Sequence, residues 1–222
     1  MAIVKKHDFV ELEYTGRIKE DNIVFDTTDE KAARENDIYR KNAEYSPIAI
    51  CVGENSLMKG LEEQMIGKET GKEYSFEISS GNAFGKKDAR LIQMIPASKF
   101  RQQKIQPVPG LQLNIDGVFG IVKTVGGGRC LVDFNHPLAG KDLVYNVRIN
   151  GIVDGSREKL ISLLKAHLGI KGAEIEVNED AAAISLKQDM PKQAQEEFKK
   201  IAERTIPSIK KVEFTITQEK NK

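Results

Sequence analysis

Residues 56–71 read SLMKGLEEQMIGKETG. Ser56 is a good helix N-cap and Gly67 can close the helix about three turns later. Leu57, Leu61 and Met65 recur every fourth residue, so they share one face of the predicted helix. Gly60 falls inside it, at a cost of roughly 1 kcal/mol relative to Ala. Its presence in a short, isolated helix implies that something approaches the first turn closely.

Strand patterns surround that helix. Residues 8–18, DFVELEYTGRI, alternate, with Phe9, Glu11 and Glu13 against Val10, Leu12 and Tyr14, as a half-buried strand does. Asp21-Asn22 reads as a turn, and extended structure resumes over Ile23–Phe25. Thr27 and Glu30 have capping-box spacing, which predicts a polar surface helix through KAARENDIYRK. Ile48–Val52 and Glu73–Ser79 read as strands on either side of the central helix.

Composition shifts near Lys86. Residues 107–135 hold short β-type runs broken by PVPG, DG and GGG, and Asp116-Gly117 between Leu111–Ile115 and Val118–Val125 is a hairpin signal. This segment reads as a separate small β module, entered through Pro96 and left near Pro137. Strand patterning returns over Leu143–Val153. From Ser156 a helix carrying Leu160, Ile161, Leu164 and Leu168 is expected, with Gly169 beyond its end. Strands near 173–177 and 182–187 follow. Pro191 then starts a helix with Ala194, Phe198, Ile201 and Ala202 as its stripe, and Val212–Thr217 is a last strand. The order α-β-β-α-β describes a small α+β domain.

Composition excludes several classes. The chain has 222 residues, 40% hydrophobic and 30% charged, with a formal net charge of +1. That balance argues against wholesale attraction to nucleic acid or membrane. The total hides an uneven spread: 86–136 carries net +5, 157–222 net +2 and the remainder net −6. No apolar run approaches the roughly 20 residues of a membrane helix, and MAIVKKHDFV does not read as a signal peptide. Cys51 and Cys130, alone in apolar contexts, read as reduced core thiols of a cytoplasmic protein rather than as a disulfide. His7, His136 and His167 lack partners at metal-ligand spacing, so no metal site and no cofactor is expected. Gly126–Gly128 lacks the lysine and helix of a phosphate loop and reads as a turn. No hydrolase, kinase or metalloenzyme pattern is present.

Four segments together carry a resemblance. YTGRIKEDNIVFDTT (14–28) resembles the first hairpin of the FKBP-type peptidyl-prolyl isomerases, with Tyr-x-Gly and Phe-Asp-[Ser/Thr] elements. VGENSLMKGLEEQMIGKETGKEYSFEIS (52–79) resembles their central helix and its flanking strands. NAFGKKD (82–88) resembles the Ala-[Tyr/Phe]-Gly loop, and NHPLAGKDLVYNVRI (135–149) the last strand of the SlyD-type, long-chain form. The segments occur in the family's order. Residues 86–136 fall where long-chain members carry an insert-in-flap domain, and the C-terminal domain resembles, in arrangement, the extension of the largest, archaeal-type members.

The resemblance implies an α+β fold, a curved antiparallel sheet over one short helix. It divides the chain into an isomerase domain (1–85 with 137–155), an insert-in-flap chaperone domain (86–136) and a C-terminal domain (156–222). It implies a peptidyl-prolyl isomerase whose substrate proline rests at the start of the central helix, with Leu61 as pocket floor where short-chain members often use Trp. Tyr14, Asp26, Phe84 and Tyr145 become the catalytic candidates. Phe25, Ile48, Leu57, Met58 and Leu61 become substrate contacts, with the Met58 N–H offered to a substrate carbonyl. Taken without the resemblance, Asp26 reads as a turn residue, Leu57 and Leu61 as core, and Phe84 and Tyr145 as sheet aromatics. The His- and Cys-rich metal-binding tail of some SlyD proteins is absent.

The insert implies a second activity, holding unfolded, proline-containing polypeptide, with Leu91, Ile92, Met94, Ile95 and Phe100 as the chaperone surface beside Ile105 and Val108. The bland alternative makes these residues the module's own core. A non-catalytic holdase or peptide-binding module on the same fold is the competing function. A ribosome or nucleic-acid contact through the basic insert is the weaker reading, because stacking aromatics are scarce there. The C-terminal domain is open to dimerisation, substrate clamping or partner binding.

Overall fold

In the computed structural model, residues 1–115 and 117–216 are described. The chain divides into two compact units, Met1–Ile78 together with the chain from Leu143 onward, and Ser79–Asp142.

The first unit is built on β1 (Phe9–Ile18), β2 (Val24–Thr27), α1 (Glu30–Glu35), β3 (Ile48–Cys51), α2 (Lys59–Met65) and β4 (Lys72–Ile78). β1 has alternating apolar residues over its first half, and Val10 and Leu12 are fully buried while Glu11 between them is exposed. Its first half pairs with β3 (Phe9↔Cys51 to Leu12↔Ile48) and its second half with β2 (Thr15↔Thr27, Gly16↔Asp26), both antiparallel. A bulge between Gly16 and Arg17 bends the strand. The chain leaves the sheet after Ile78 and re-enters as β9 (Leu143–Ile152), whose Leu143 pairs with Ile78. The sheet order is β2-β1-β9-β4, with β3 beside β1. This antiparallel sheet with the short helices α1 and α2 is the FKBP-like α+β arrangement that the resemblance implied.

Three helix starts differ from expectation, two of them before the insert. Ser56 is not the cap of α2. Its hydroxyl donates to the Cys51 carbonyl (3.3 Å), and the helix begins at Lys59 with Met58 at the N-cap, which places Gly60 in the first turn. Asp29, not Thr27, caps α1, with Oδ1 accepting from the Lys31 and Ala32 N–H groups at 2.7 and 3.2 Å. Thr27 belongs to β2, and its hydroxyl donates to the Tyr14 carbonyl. The helix stops at Glu35 because Asp37 takes a left-handed φ of 57°.

The second unit holds β5 (Ile92–Pro96), α3 (Ala97–Gln102), β6 (Gln112–Ile115), β7 (Val118–Gly126) and β8 (Arg129–Asp133) in an antiparallel sheet of order β5-β8-β7-β6. The expected hairpin closes with Ile115 opposite Val118, its Asp116 lying outside the described residues. The glycine run turns β7 into β8, with Gly127 and Gly128 at φ of 56° and 73°. Phe100, Val122, Cys130 and Val132 make this unit's core. Phe100, expected on a chaperone surface, is only 3% exposed: a four-stranded sheet with one six-residue helix needs an aromatic ring to close its interior.

The C-terminal segment adds α4 (Ser156–Leu168), β10 (Glu174–Asn178), β11 (Ala181–Leu186), α5 (Lys192–Thr205) and β12 (Lys211–Ile216). β10 and β11 are antiparallel, while β11 and β12, joined through α5, are parallel. The expected last strand reached Thr217, which lies outside the described residues. α4 ends at Gly169 in the left-handed conformation (φ 64°), and Gly155, not Ser156, takes its N-cap. Leu160, Leu163 and Leu164 are its buried stripe, whereas Ile161, expected there, is 37% exposed. The stripe is set by what lies beneath it: α4 packs on β3 as well as on its own sheet, and Phe9 and Cys51 share one core with Leu160, Ile184 and Phe198.

Candidate active site

Gly16 is the register point of the site. It lies opposite Tyr145 on β9 and opposite Asp26 on β2. Strand periodicity then puts Tyr14, two residues earlier, on the same face. A Cβ on Gly16 would come within 2.9 Å of Phe25 Cζ and of the Tyr145 ring. Because that carbon is missing, three rings close over β1. Tyr14 and Tyr145 lie 5.6 Å apart between centroids, and Phe25 meets Tyr145 edge-on at 5.7 Å. The Tyr14 hydroxyl donates to Asp26 Oδ2 at 2.8 Å. The structure therefore brings together Tyr14, Phe25, Asp26 and Tyr145.

Electrostatics at this cluster follow from burial. Tyr145 is 4% exposed, and Asp26 faces solvent. Both phenols are pushed far above their ordinary range, first by burial and then by the neighbouring Asp26 charge. Neither ring gives up its proton at physiological pH. The cluster offers apolar walls, fixed hydroxyl dipoles and one carboxylate, with no proton relay.

The other expected contacts sit on α2, on β3 and on the loop leading to α2. Leu61, in α2, is 1% exposed, and Ile48 begins β3 half-buried. Leu57 and Met58 are half-buried in the loop leading to α2. The Met58 carbonyl accepts from the Leu61 and Glu62 N–H groups (2.9 and 3.0 Å), whereas its own N–H has no partner among the described residues.

That loop is organised by a residue with no sequence signal. Glu62 is 1% exposed, and its carboxylate accepts from the N–H groups of Gly53 (2.7 Å), Asn55 (3.2 Å) and Leu57 (2.6 Å). Burial raises its pKa, and the backbone donors only partly offset that. In the sequence it is one glutamate in an EE pair on a helix.

Phe84 belongs to the Ser79–Asp142 unit, where it is 36% exposed and stacks flat on His136 at 4.3 Å. In the same unit Met94 and Leu91 are 64% and 41% exposed, and Ile92 and Ile95 are half-buried. Val118, Phe119 and Val125 are also exposed, although the sequence reading passed over them. The signal was there: β7 is apolar on both faces at its start. A groove of about 360 Å³ is lined by Met94, Ile95, Lys99, Phe100, Ile115 and Phe134 among others.

A larger groove of about 660 Å³ lies along the first unit's sheet, lined by Glu13, Thr15, Glu73, Ser75, Asn146 and Arg148 among others. These residues alternate with the inward-facing ones, so the groove is polar and borders only Tyr14 of the aromatic cluster. Among the described residues no group of His, Cys, Asp and Glu is placed to hold a metal ion, and no helix is long and apolar enough to cross a membrane.

Comparisons with known proteins identify the family. The family profile of FKBP-type peptidyl-prolyl cis-trans isomerase matches residues 2–103, and that of the FKBP26 IF domain matches residues 93–138. A short-type peptidyl-prolyl cis-trans isomerase from Methanocaldococcus jannaschii is 35% identical over 156 residues, 70% of this chain and 98% of its own. A probable FKBP-type 16 kDa isomerase from Pseudomonas fluorescens is 32% identical over 109 residues, 47% of this chain and 71% of its own. The SlyD isomerase of Helicobacter pylori is 25% identical over 130 residues, 57% of this chain and 70% of its own. With the archaeal relative matched across nearly its whole length, the chain belongs to the FKBP-type peptidyl-prolyl cis-trans isomerases, enzymes also called rotamases, and is SlyD-like among them.

Proposed function

We propose that the chain catalyses rotation of X–Pro bonds in unfolded polypeptide at the Tyr14–Asp26–Tyr145 cluster, and that its insert domain holds that polypeptide as a chaperone. The observation that carries the reading is the closure of three aromatic rings over Gly16 beside one exposed carboxylate.

The chemistry needs no nucleophile. The barrier, about 18–20 kcal/mol, is lost amide resonance. The planar amide is strongly polar and the twisted one less so. Apolar walls therefore raise the ground state relative to the twisted state, and each ~1.4 kcal/mol so gained is tenfold in rate. Phenols that keep their protons suit this mechanism. Asp26 orients the Tyr14 hydroxyl and stabilises the rotated amide at the rim. Ile48, Leu57 and Leu61 seat the proline, and Met58 offers its N–H to a substrate carbonyl.

The holding activity rests on exposed apolar surface. Met94, Leu91, Val118 and Phe119 stand out on a small basic module whose β5 and β6 are sheet edges. An extended peptide adds to such an edge through main-chain hydrogen bonds. Tethering a captured chain to the polypeptide that carries the catalytic cluster raises its local concentration to about the millimolar range. Buried free thiols at Cys51 and Cys130 accord with a cytoplasmic setting.

The test is a protease-coupled prolyl tetrapeptide assay and a proline-limited refolding assay. Each is run on the intact chain and on a variant with 86–136 replaced by a short loop. The expected result is tetrapeptide turnover by both proteins and a loss of refolding catalysis and aggregation suppression in the variant. Tetrapeptides that isomerise no faster with the intact chain than without it refute catalysis and leave the holdase.

A further inference from the structure

The C-terminal domain reaches the two segments that carry the expected substrate contacts. Its core takes in Phe9 on β1 and Cys51 on β3. Ser162 on α4 donates to the Ala49 carbonyl at 2.6 Å, one residue after Ile48. Lys165 and Lys171 meet Glu44 at 2.6 and 3.4 Å, in the segment that leads into Pro47 and Ile48. Arg204 near the end of α5 forks onto Glu54, with Nε 3.2 Å from Oε1 and Nη2 on Oε2.

The Glu54 contact matters most, because Glu54 lies between Gly53 and Asn55, two of the three residues whose N–H groups Glu62 holds. Glu54 is 7% exposed, so its charge needs a partner. His7 Nδ1 lies 3.0 Å from Glu54 Oε1, but off the angle of a hydrogen bond, which leaves Arg204 as the directional partner. The 53–57 loop is thus fixed on one side by a buried carboxylate of α2 and on the other by a guanidinium of α5. Gly53 and Asn55 are both in the left-handed region, at φ of 90° and 56°, so the loop's path depends on these contacts.

We propose that Arg204 and Ser162 are positioning residues for the isomerase site: the C-terminal domain fixes the Ile48 and Leu57–Met58 rims and so sets substrate affinity. Neither residue touches substrate. Both act through backbone that does. This inference rests on the reading that those rims bind the prolyl substrate.

The experiment compares Arg204→Ala, Arg204→Lys and Ser162→Ala with the intact chain. It measures kcat and KM on a prolyl tetrapeptide, and amide hydrogen exchange at Gly53, Asn55 and Leu57. Lys187→Ala, an exposed residue of the same domain that takes part in none of these contacts, is the control. The expected result for Arg204→Ala is a KM raised about three- to tenfold with kcat nearly unchanged, the pattern of lost ground-state positioning. Arg204→Lys restores part of the affinity, and exchange speeds up at the loop but not at Val147 or Ile149 in the sheet. Should Arg204→Ala fail to fold, Ser162→Ala and Arg204→Lys decide. Unchanged KM and unchanged loop exchange in both, with the intact chain active, overturn the inference. An intact chain without tetrapeptide activity overturns the isomerase reading instead, and the exchange data then report separately whether the loop depends on Arg204.

Discussion

The Tyr14 hydroxyl lies 2.8 Å from Asp26 Oδ2, across the first hairpin of the sheet. It joins a ring among aromatics to a carboxylate in solvent. Tyr14→Phe removes the hydroxyl and keeps the ring. The expected outcome is a thermal stability within about 1 kcal/mol of the intact chain and a kcat/KM on prolyl tetrapeptides lower by about tenfold. The same site predicts a flat pH–rate profile between pH 7 and 10 as far as its tyrosines are concerned. Burial and then Asp26 hold both phenols above their ordinary value of 10.0. Their contribution to stability is complete below pH about 10 and declines only above it. A rate that breaks near pH 8 with the pKa of a phenol would contradict this.

Gly16→Ala should be costly for a steric reason alone. The added carbon would meet Phe25 and Tyr145 at 2.9 Å, closer than real contacts allow, and its φ is not in the left-handed region. Overpacking of this kind costs about 1–3 kcal/mol. The rings move apart and activity falls with stability. Gly151→Ala on the same sheet meets nothing within 4 Å and serves as the comparison. Equal melting temperatures for the two variants would show that the rings do not depend on the missing carbon.

Glu62→Gln tests the loop that leads to α2. The carboxylate accepts three N–H groups, and an amide oxygen replaces only part of that capacity while turning an NH₂ toward the remaining donors. The expected loss is about 1–3 kcal/mol, with a raised KM because Leu57 is one of the three. The raised pKa fixes the sign with pH. Stability from this group is complete below its ordinary 4.5 and declines as pH rises through the folded value. Glu62→Gln should therefore lose more at pH 4 than at pH 7, as urea unfolding at the two pH values can measure.

The elements were legible where one residue face repeats: β1 alternates, α2 carries Leu61 and Met65 on one side, and the α-β-β-α-β order of the C-terminal domain follows from periodicity. What escaped depends on partners distant in the chain. Ser56 looks like a cap, yet its hydroxyl turns to Cys51 and the helix starts only at Lys59. Ser162 sits among the apolar residues of α4 and looks like an interruption of the stripe, until Ala49, more than a hundred residues earlier, supplies the acceptor. Phe100 has the hydrophobicity of a binding surface and the position of a core. The aromatic cluster needed motif resemblance, since Tyr14, Phe25 and Tyr145 become neighbours only through the registers at Gly16.

The acid limb of the insert's stability should come from one buried carboxylate. Burial alone would raise the Asp133 pKa, but the Lys87 ammonium at 2.8 Å and the Asn135 side-chain and backbone N–H groups outweigh it and hold it at about 2. An acid depressed in this way stabilises the fold above its ordinary 3.8, and that contribution drains away as pH falls toward 2. Its size is up to about 2 kcal/mol. Asp133→Asn should lower stability at pH 7 by a similar amount and flatten the loss between pH 4 and 2. Amide resonances of β8 followed through an acid titration provide the check, because β8 carries Asp133 and pairs with both β5 and β7. Identical acid transitions in the two proteins would mean that other carboxylates govern the unfolding of this unit.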